Sequence, residues 1–188
     1  MKKRIVDLFA GIATASLAAD IVWGSENLEH EFVEINPYGR TIIKKHFPNS
    51  KLHGDIKTYF YSGEPAFLVW GSFPCQAVST AGKRKGSEDA RWLWPETLRV
   101  VREARPEYFV GENVKGLLSA ESGVLFENLC LDMEREGYEV QPFVLPAAGV
   151  GAPHRRDRVW IVCKRIADDT QGDRRTGGGS GAEAQEGY

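Results

Sequence analysis

Short β-prone apolar runs alternate along this chain with segments whose apolar residues recur at helical spacing, and this alternation restricts the fold more than any other feature. The first four runs are Arg4–Phe9, Phe32–Ile35, Ala66–Trp70 and Tyr108–Gly111. Ala15, Leu17, Ala18, Ile21 and Val22 give a first helix its apolar face, and Gly24 ends it. Pro37 opens a second helix through Thr41, Ile42 and His46, and a short extended piece lies near Lys51–His53. Trp92–Arg105 reads as a third helix, with Pro95 tolerated in its first turn and Pro106 stopping it. Leu125–Glu136 carries Phe126, Leu129, Cys130 and Met133 at helical spacing, so Cys130 reads as core. Strands separated by helices run parallel, with helices on both faces. The last two runs, Tyr138–Leu145 and Arg158–Lys164, are joined without a helical pattern and should pair antiparallel; Cys163 in the last one reads as packing. The expectation is an α/β, Rossmann-like fold: a mainly parallel twisted sheet with a C-terminal antiparallel hairpin strand.

With 188 residues the chain buries one full core, and 1–166 reads as one domain. Residues 167–188 are polar and glycine-rich, with nothing to bury, and read as a disordered tail. Three scattered cysteines argue for a reducing compartment and against a disulfide framework. The N-terminal apolar run is too short for a signal peptide or a membrane span, so the expected location is cytoplasmic. A net charge of -2 does not mark a nucleic-acid binder, so any basic surface must be local.

Candidate chemistry gathers at the strand ends, where open α/β sheets bind ligands. Cys75 falls just past the third run, with Pro74 before it and Gln76, Ser79 and Lys83 in the Gly/Ser/Lys loop that follows. It reads either as an exposed nucleophile or as a small buried hydrophobe. Asp7, Phe9 and Gly11 precede the N-terminus of the first helix, which suits an anionic group. Glu34 stands where ribose hydroxyls are held in Rossmann-like sites, or is a solvated strand end; Asp55 is a further acid, or a helix cap. With no phosphate-binding lysine and no second turn glycine, the set favours a nucleoside with a small anionic tail over a dinucleotide.

These segments together resemble the cytosine-C5 DNA methyltransferase family. Asp7-Leu8-Phe9-Ala10-Gly11-Ile12, Glu34-Ile35-Asn36-Pro37 and Gly54-Asp55-Ile56 are similar to its first three motifs. Phe73-Pro74-Cys75-Gln76 with Ser79 and Gly82 resembles its catalytic motif, Gly111-Glu112-Asn113-Val114 its Glu-Asn-Val motif, and Ala152–Arg158 its arginine motif. The six lie in the family's order over about residues 3 to 164. Two departures stand out. Ala13-Thr14 replaces a common Gly-Gly, which predicts a less close backbone approach to the cofactor, and His154 stands where glutamine is usual.

The resemblance implies a S-adenosylmethionine-dependent methyltransferase acting on a cytosine flipped out of double-stranded DNA, without metal. Cys75 would be the nucleophile toward cytosine C6, and Glu112 the acid at N3. Arg158 and Arg156 would hold the base and a nearby phosphate. Gln76, Ser79, Lys83 and Asn113 would serve the substrate loop. Phe9 would stack on the adenine, Glu34 hold the ribose, Asp55 and Ile56 border the adenine, and Asp7, Gly11, Ile12 and Pro74 complete the cofactor site. One branch of the family acts on tRNA, so RNA is the alternative substrate. The family's target-recognition region and final helix have no counterpart in residues 165–188, so the further expectation is a catalytic core with little or no site-specific methylation by itself, either an inactive remnant or one half of a split enzyme that needs a second polypeptide.

Overall fold

The computed structural model describes residues 1–74 and 92–167. Seven strands form one sheet: β1 (Lys3–Leu8), β2 (Leu28–Val33), β3 (Lys51–His53), β4 (Leu68–Gly71), β5 (Tyr108–Val114), β6 (Tyr138–Pro146) and β7 (Asp157–Arg165). Among the described residues, four α-helices join them: α1 (Thr14–Trp23), α2 (Pro37–His46), α3 (Trp94–Ala104) and α4 (Val124–Arg135). The sheet order is β3-β2-β1-β4-β5-β7-β6, parallel throughout except that β7 runs antiparallel to both β5 and β6. The α/β expectation and the antiparallel C-terminal hairpin therefore hold. The predicted tail lies, but for residue 167, outside the described residues.

Period-two alternation splits β1 between two cores. Val6 and Leu8 join Phe109, Leu98, Leu129 and Met133 under α3 and α4, while Ile5 packs with Ala19, Leu28 and Leu68 on the α1 face. Cys163 is fully buried in the larger core, and Cys130 is partly exposed on α4.

Two elements differ from expectation. The second strand begins at Leu28 rather than Phe32, because His30 and Glu31 are buried polar residues that carry partners: Asp20 with His30 at 2.8 Å, and Tyr59, donating its hydroxyl to Glu31 at 2.9 Å. The predicted apolar face of α1 points outward. Its buried residues are Ser16 and Ala19, while Leu17, Ile21 and Val22 are 55%, 79% and 67% exposed. Ser16 donates to Asp7 at 2.8 Å, and with the Asp20–His30 contact this turns the helix's polar side toward the sheet.

Candidate active site

The chain steps from β1 outward to β2 and β3, then crosses back to β4 and β5, so the strand order reverses between β1 and β4. A cleft of about 660 Å³ opens there, where α/β sheets take ligands. One wall is the turn after β1, with Phe9, Gly11, Ile12 and Thr14; the other is the β6–β7 hairpin, with Leu145, Pro146, Arg156 and Arg158; Trp70, Glu112 and Trp160 form the floor. Trp70 and Trp160 meet edge to face at 5.3 Å.

The turn is built from left-handed backbone at Phe9 (φ 57°), Gly11 (φ 56°) and Ala13 (φ 64°). Such a conformation is free for glycine and costs a non-glycine residue about 1 kcal/mol or more. Ala13 is the N-cap of α1 and supplies no side-chain acceptor; the Ser16 N–H of the first turn is bonded to Asp7, and the two N–H groups before it, on Thr14 and Ala15, lie on the cleft side, where a helix start suits an anion. The methyl of Ala13 packs with Phe32 and Ile43, away from the cleft. The replacement of glycine there thus falls on backbone conformation, and Ala13 does not narrow the cavity.

Glu34 is buried just beyond β2 and is tied to this turn: its carboxylate accepts from Gly11 N and Asn36 N, each at 2.6 Å. Gly39, in the first turn of α2, lies so close that a Cβ would stand 2.3 Å from Gly11 O. Arg40 donates to Glu34 O at 3.0 Å, and also to His53 O, joining the ends of β2 and β3. Asn36 caps α2 through Tyr38 N at 2.9 Å, with Pro37 in its first turn.

Glu112 on β5 and Arg158 on β7 meet diagonally, Arg158 standing opposite Val114 and Glu112 opposite Trp160, with Arg158 Nε to Glu112 Oε1 at 2.9 Å and each about one quarter exposed or less. The pair is charge-assisted and faces the cleft. Arg156 is exposed at the hairpin, with φ 39°.

Asp7 is 1% exposed beside the turn. Burial pushes its carboxyl up to about 7, a rise limited by hydrogen bonds from Ser16 and reinforced by the charge of Glu34. The folded state therefore binds a proton that the unfolded chain has lost, and this contribution, about 4 kcal/mol from a rise of that size, is complete below the unfolded value of 3.8 and fades as pH rises through about 7. Urea unfolding of Asp7→Asn and of the original protein should show the stability gap shifting in favour of Asp7→Asn from about pH 4 to about pH 8. A gap that is flat with pH would contradict the buried-carboxyl account.

The cleft brings together seven residues singled out in the sequence: Asp7, Phe9, Gly11, Ile12, Glu112, Arg156 and Arg158. Glu34 joins them through Gly11 N. Asp55 caps the turn Ile56–Thr58 by accepting from Lys57 N at 2.9 Å, Ile56 is buried beneath, and Pro74 is half-buried; none of the three lines the cleft. Asn113 points to the opposite side of β5 from Glu112, is 2% exposed, and donates to Phe73 O at 3.1 Å, anchoring the backbone two residues before Cys75. His154 is exposed. Cys75, Gln76, Ser79 and Lys83 lie outside the described residues. Ser16, Gly39, Trp70 and Trp160 were missed; only their places within the flanking motifs and strands could have drawn attention to them. Among the described residues no group of three or more His, Cys, Asp or Glu could hold a metal ion, and no helix is long and apolar enough to cross a membrane.

A mainly parallel sheet with a cleft at its switch point, facing a carboxylate–guanidinium pair, defines a Rossmann-like α/β domain. The chain belongs to the C-5 cytosine-specific DNA methylase family, whose model matches residues 3–176. It is 35% identical over 164 residues to the type II methyltransferase M1.ScrFI of Lactococcus lactis subsp. cremoris, covering 86% of this chain and 41% of that protein. With the type II methyltransferase M.HhaI of Haemophilus parahaemolyticus it shares 34% over 164 residues, covering 86% and 49%. M.AquIA of a Picosynechococcus strain is 41% identical over 190 residues, covering 91% of this chain and 75% of that type II methyltransferase. The chain thus spans less than half the length of M1.ScrFI and M.HhaI. In fold it is similar to the solved Dnmt2 methyltransferase of S. pombe, with a TM-score of 0.69 at 21% identity over 87% of this chain and 51% of that one.

Proposed function

We propose that this chain carries the catalytic and cofactor-binding part, residues 1–166, of an enzyme that methylates C5 of cytosine in double-stranded DNA. The Glu112–Arg158 pair facing the Gly11 turn across one cleft carries this reading. The start of α1 at Thr14 and Ala15 and the carboxylate of Glu34 behind Gly11 fit the two ends of S-adenosylmethionine, an anionic amino-acid tail and a ribose. Phe9, Ile12 and Asp7 would border it, and when bound it supplies the methyl group.

Cytosine C5 is a weak nucleophile. Attack of the Cys75 thiolate at C6 forms an S–C6 bond and moves the ring's π electrons toward C5, which then accepts the methyl. Glu112 donates a proton or a strong hydrogen bond to N3 as negative charge develops. Arg158 fixes Glu112 and presents its remaining N–H groups to the base. Loss of the C5 proton then expels the thiolate. A cytosine within a duplex cannot present C6 to a side chain, so the base must leave the stack.

A second feature supports the involvement of further protein. Beside the cleft, an apolar trough of about 480 Å³ runs between α1 and the open face of β4 and β5, lined by Ala18, Val22, Trp23, Phe67, Trp70 and Val110. An apolar patch of this kind suits a covering element, and a second polypeptide that also reads the DNA target would provide one.

Calorimetry tests the cofactor reading. The chain should bind S-adenosylhomocysteine, and Glu34→Ala should weaken binding by about tenfold or more, since a charge-assisted pair of hydrogen bonds is lost. No heat at millimolar ligand would sink the assignment. Tritium transfer to DNA and to RNA, run side by side, tests the substrate class.

A further inference from the structure

We infer that Arg99 is a positioning residue for the cofactor: it pre-sets the turn Asp55–Tyr61, outside the cleft itself, whose Asp55 and Ile56 the family resemblance gives as the adenine border, and this inference rests on the cofactor binding proposed above. Arg99 lies on α3, a different element from any that lines the cleft, and its side chain is 26% exposed. Its guanidinium has three separate acceptors. Nη2 donates to Ile56 O at 2.7 Å, Nε to Glu96 Oε2 at 2.8 Å and Nη1 to Glu103 Oε1 at 2.6 Å, and the group also sits 5.0 Å from the ring of Phe60. The two glutamates stand one turn before and one turn after Arg99 on the same helix, so they aim the fork at the turn. Glu103 completes the clamp with its other oxygen, which accepts from Tyr61 N at 2.9 Å.

Ion pairs within one helix, only partly buried as these are, contribute little to the helix's own stability. Ile56 is 3% exposed, and among the described residues its carbonyl receives, apart from Arg99, only Tyr59 N, at a long 3.3 Å. Asp55 restrains the turn's start through Lys57 N, and Tyr59 and Tyr61 tie its far end to β2 and β1 through Glu31 and Arg4, so the carbonyl of Ile56 between them is the point that Arg99 fixes. Arg99 and Glu103 hold the turn from outside, so that the adenine border is ordered before ligand arrives and binding need not order it.

The test compares Arg99→Met, Arg99→Lys and Arg102→Met. Arg102 sits on the same helix but pairs with Glu136, away from the turn. S-adenosylhomocysteine should bind Arg99→Met about tenfold more weakly, Arg99→Lys by an intermediate factor because an ammonium cannot span three acceptors, and Arg102→Met unchanged. Amide hydrogen exchange separates positioning from general stability. In the original protein the amides of residues 56–61 should be protected without ligand, whereas in Arg99→Met they should gain protection only when ligand is added. Should Arg99→Met fail to fold, Arg99→Lys and Phe60→Ala carry the same two measurements. Unaltered affinity and exchange in the Arg99 variants overturns the inference while leaving the cofactor reading intact. Absence of binding by the original protein removes both.

Discussion

Glu112→Gln should slow methyl transfer by about 10²–10⁴-fold, the usual contribution of a positioned acid, while S-adenosylhomocysteine affinity stays within a factor of about two. Glutamine keeps the shape and can still accept from Arg158 Nε, so the 2.9 Å contact between the two strands survives and the fold is not the variable. What is lost is the proton for N3. In enzyme supplied with its target-recognition part, duplex DNA bearing 5-fluorocytosine should trap a covalent adduct, because fluorine cannot leave as a proton does. Cys75→Ala should abolish that adduct with ligand binding retained. Persistence of the adduct in Cys75→Ala would mean another nucleophile, and wild-type turnover in Glu112→Gln would remove Glu112 from the chemistry.

Gly39→Ala sets two effects of opposite sign against each other. Gly39 lies within α2, where alanine is favoured over glycine by about 1 kcal/mol. Against this, the added Cβ would meet Gly11 O at 2.3 Å, Gly11 C at 3.1 Å and Glu34 Cγ at 3.2 Å. Two of those atoms are backbone, so the turn itself must shift, at a typical overpacking cost of about 1–3 kcal/mol. The steric term wins. The same shift pulls Gly11 N away from Glu34, so ligand affinity should fall by about tenfold or more together with the melting temperature. A Gly39→Ala protein that is more stable and binds normally would show that the contact has room to relax.

What could be read from the sequence was whatever depends on local pattern. The strand ends bearing Asp7, Glu34, Glu112 and Arg158 follow from apolar runs bounded by turns, and the antiparallel hairpin from a connection too irregular for a helix. What could not be read depends on tertiary partners. Hydropathy turns the aliphatic stripe of α1 inward, and only the hydrogen bond from Ser16 to Asp7, together with the Asp20–His30 contact, reverses it. His30 and Glu31 hide the start of β2 because a paired polar residue has the same letter as a solvated one. Gly39 and Asn113 owe their roles to atoms 28 and 40 residues away, Gly11 O and Phe73 O, which no window of sequence contains.

The place of β7 has a consequence for how the molecule is made. It is the last strand among the described residues, yet it lies between β5 and β6, with Val114 opposite Arg158 and Tyr108 opposite Lys164. A chain emerging from the ribosome therefore carries β1 to β5 with one flank of β5 unpaired, and β6 has no strand beside it until Asp157–Arg165 has been synthesised. Pairings of such long sequence separation form slowly and leave a strand edge open in the interval. The wait ends with the strand that also delivers Arg158 to Glu112, so this carboxylate acquires its arginine only once β7 has joined the sheet.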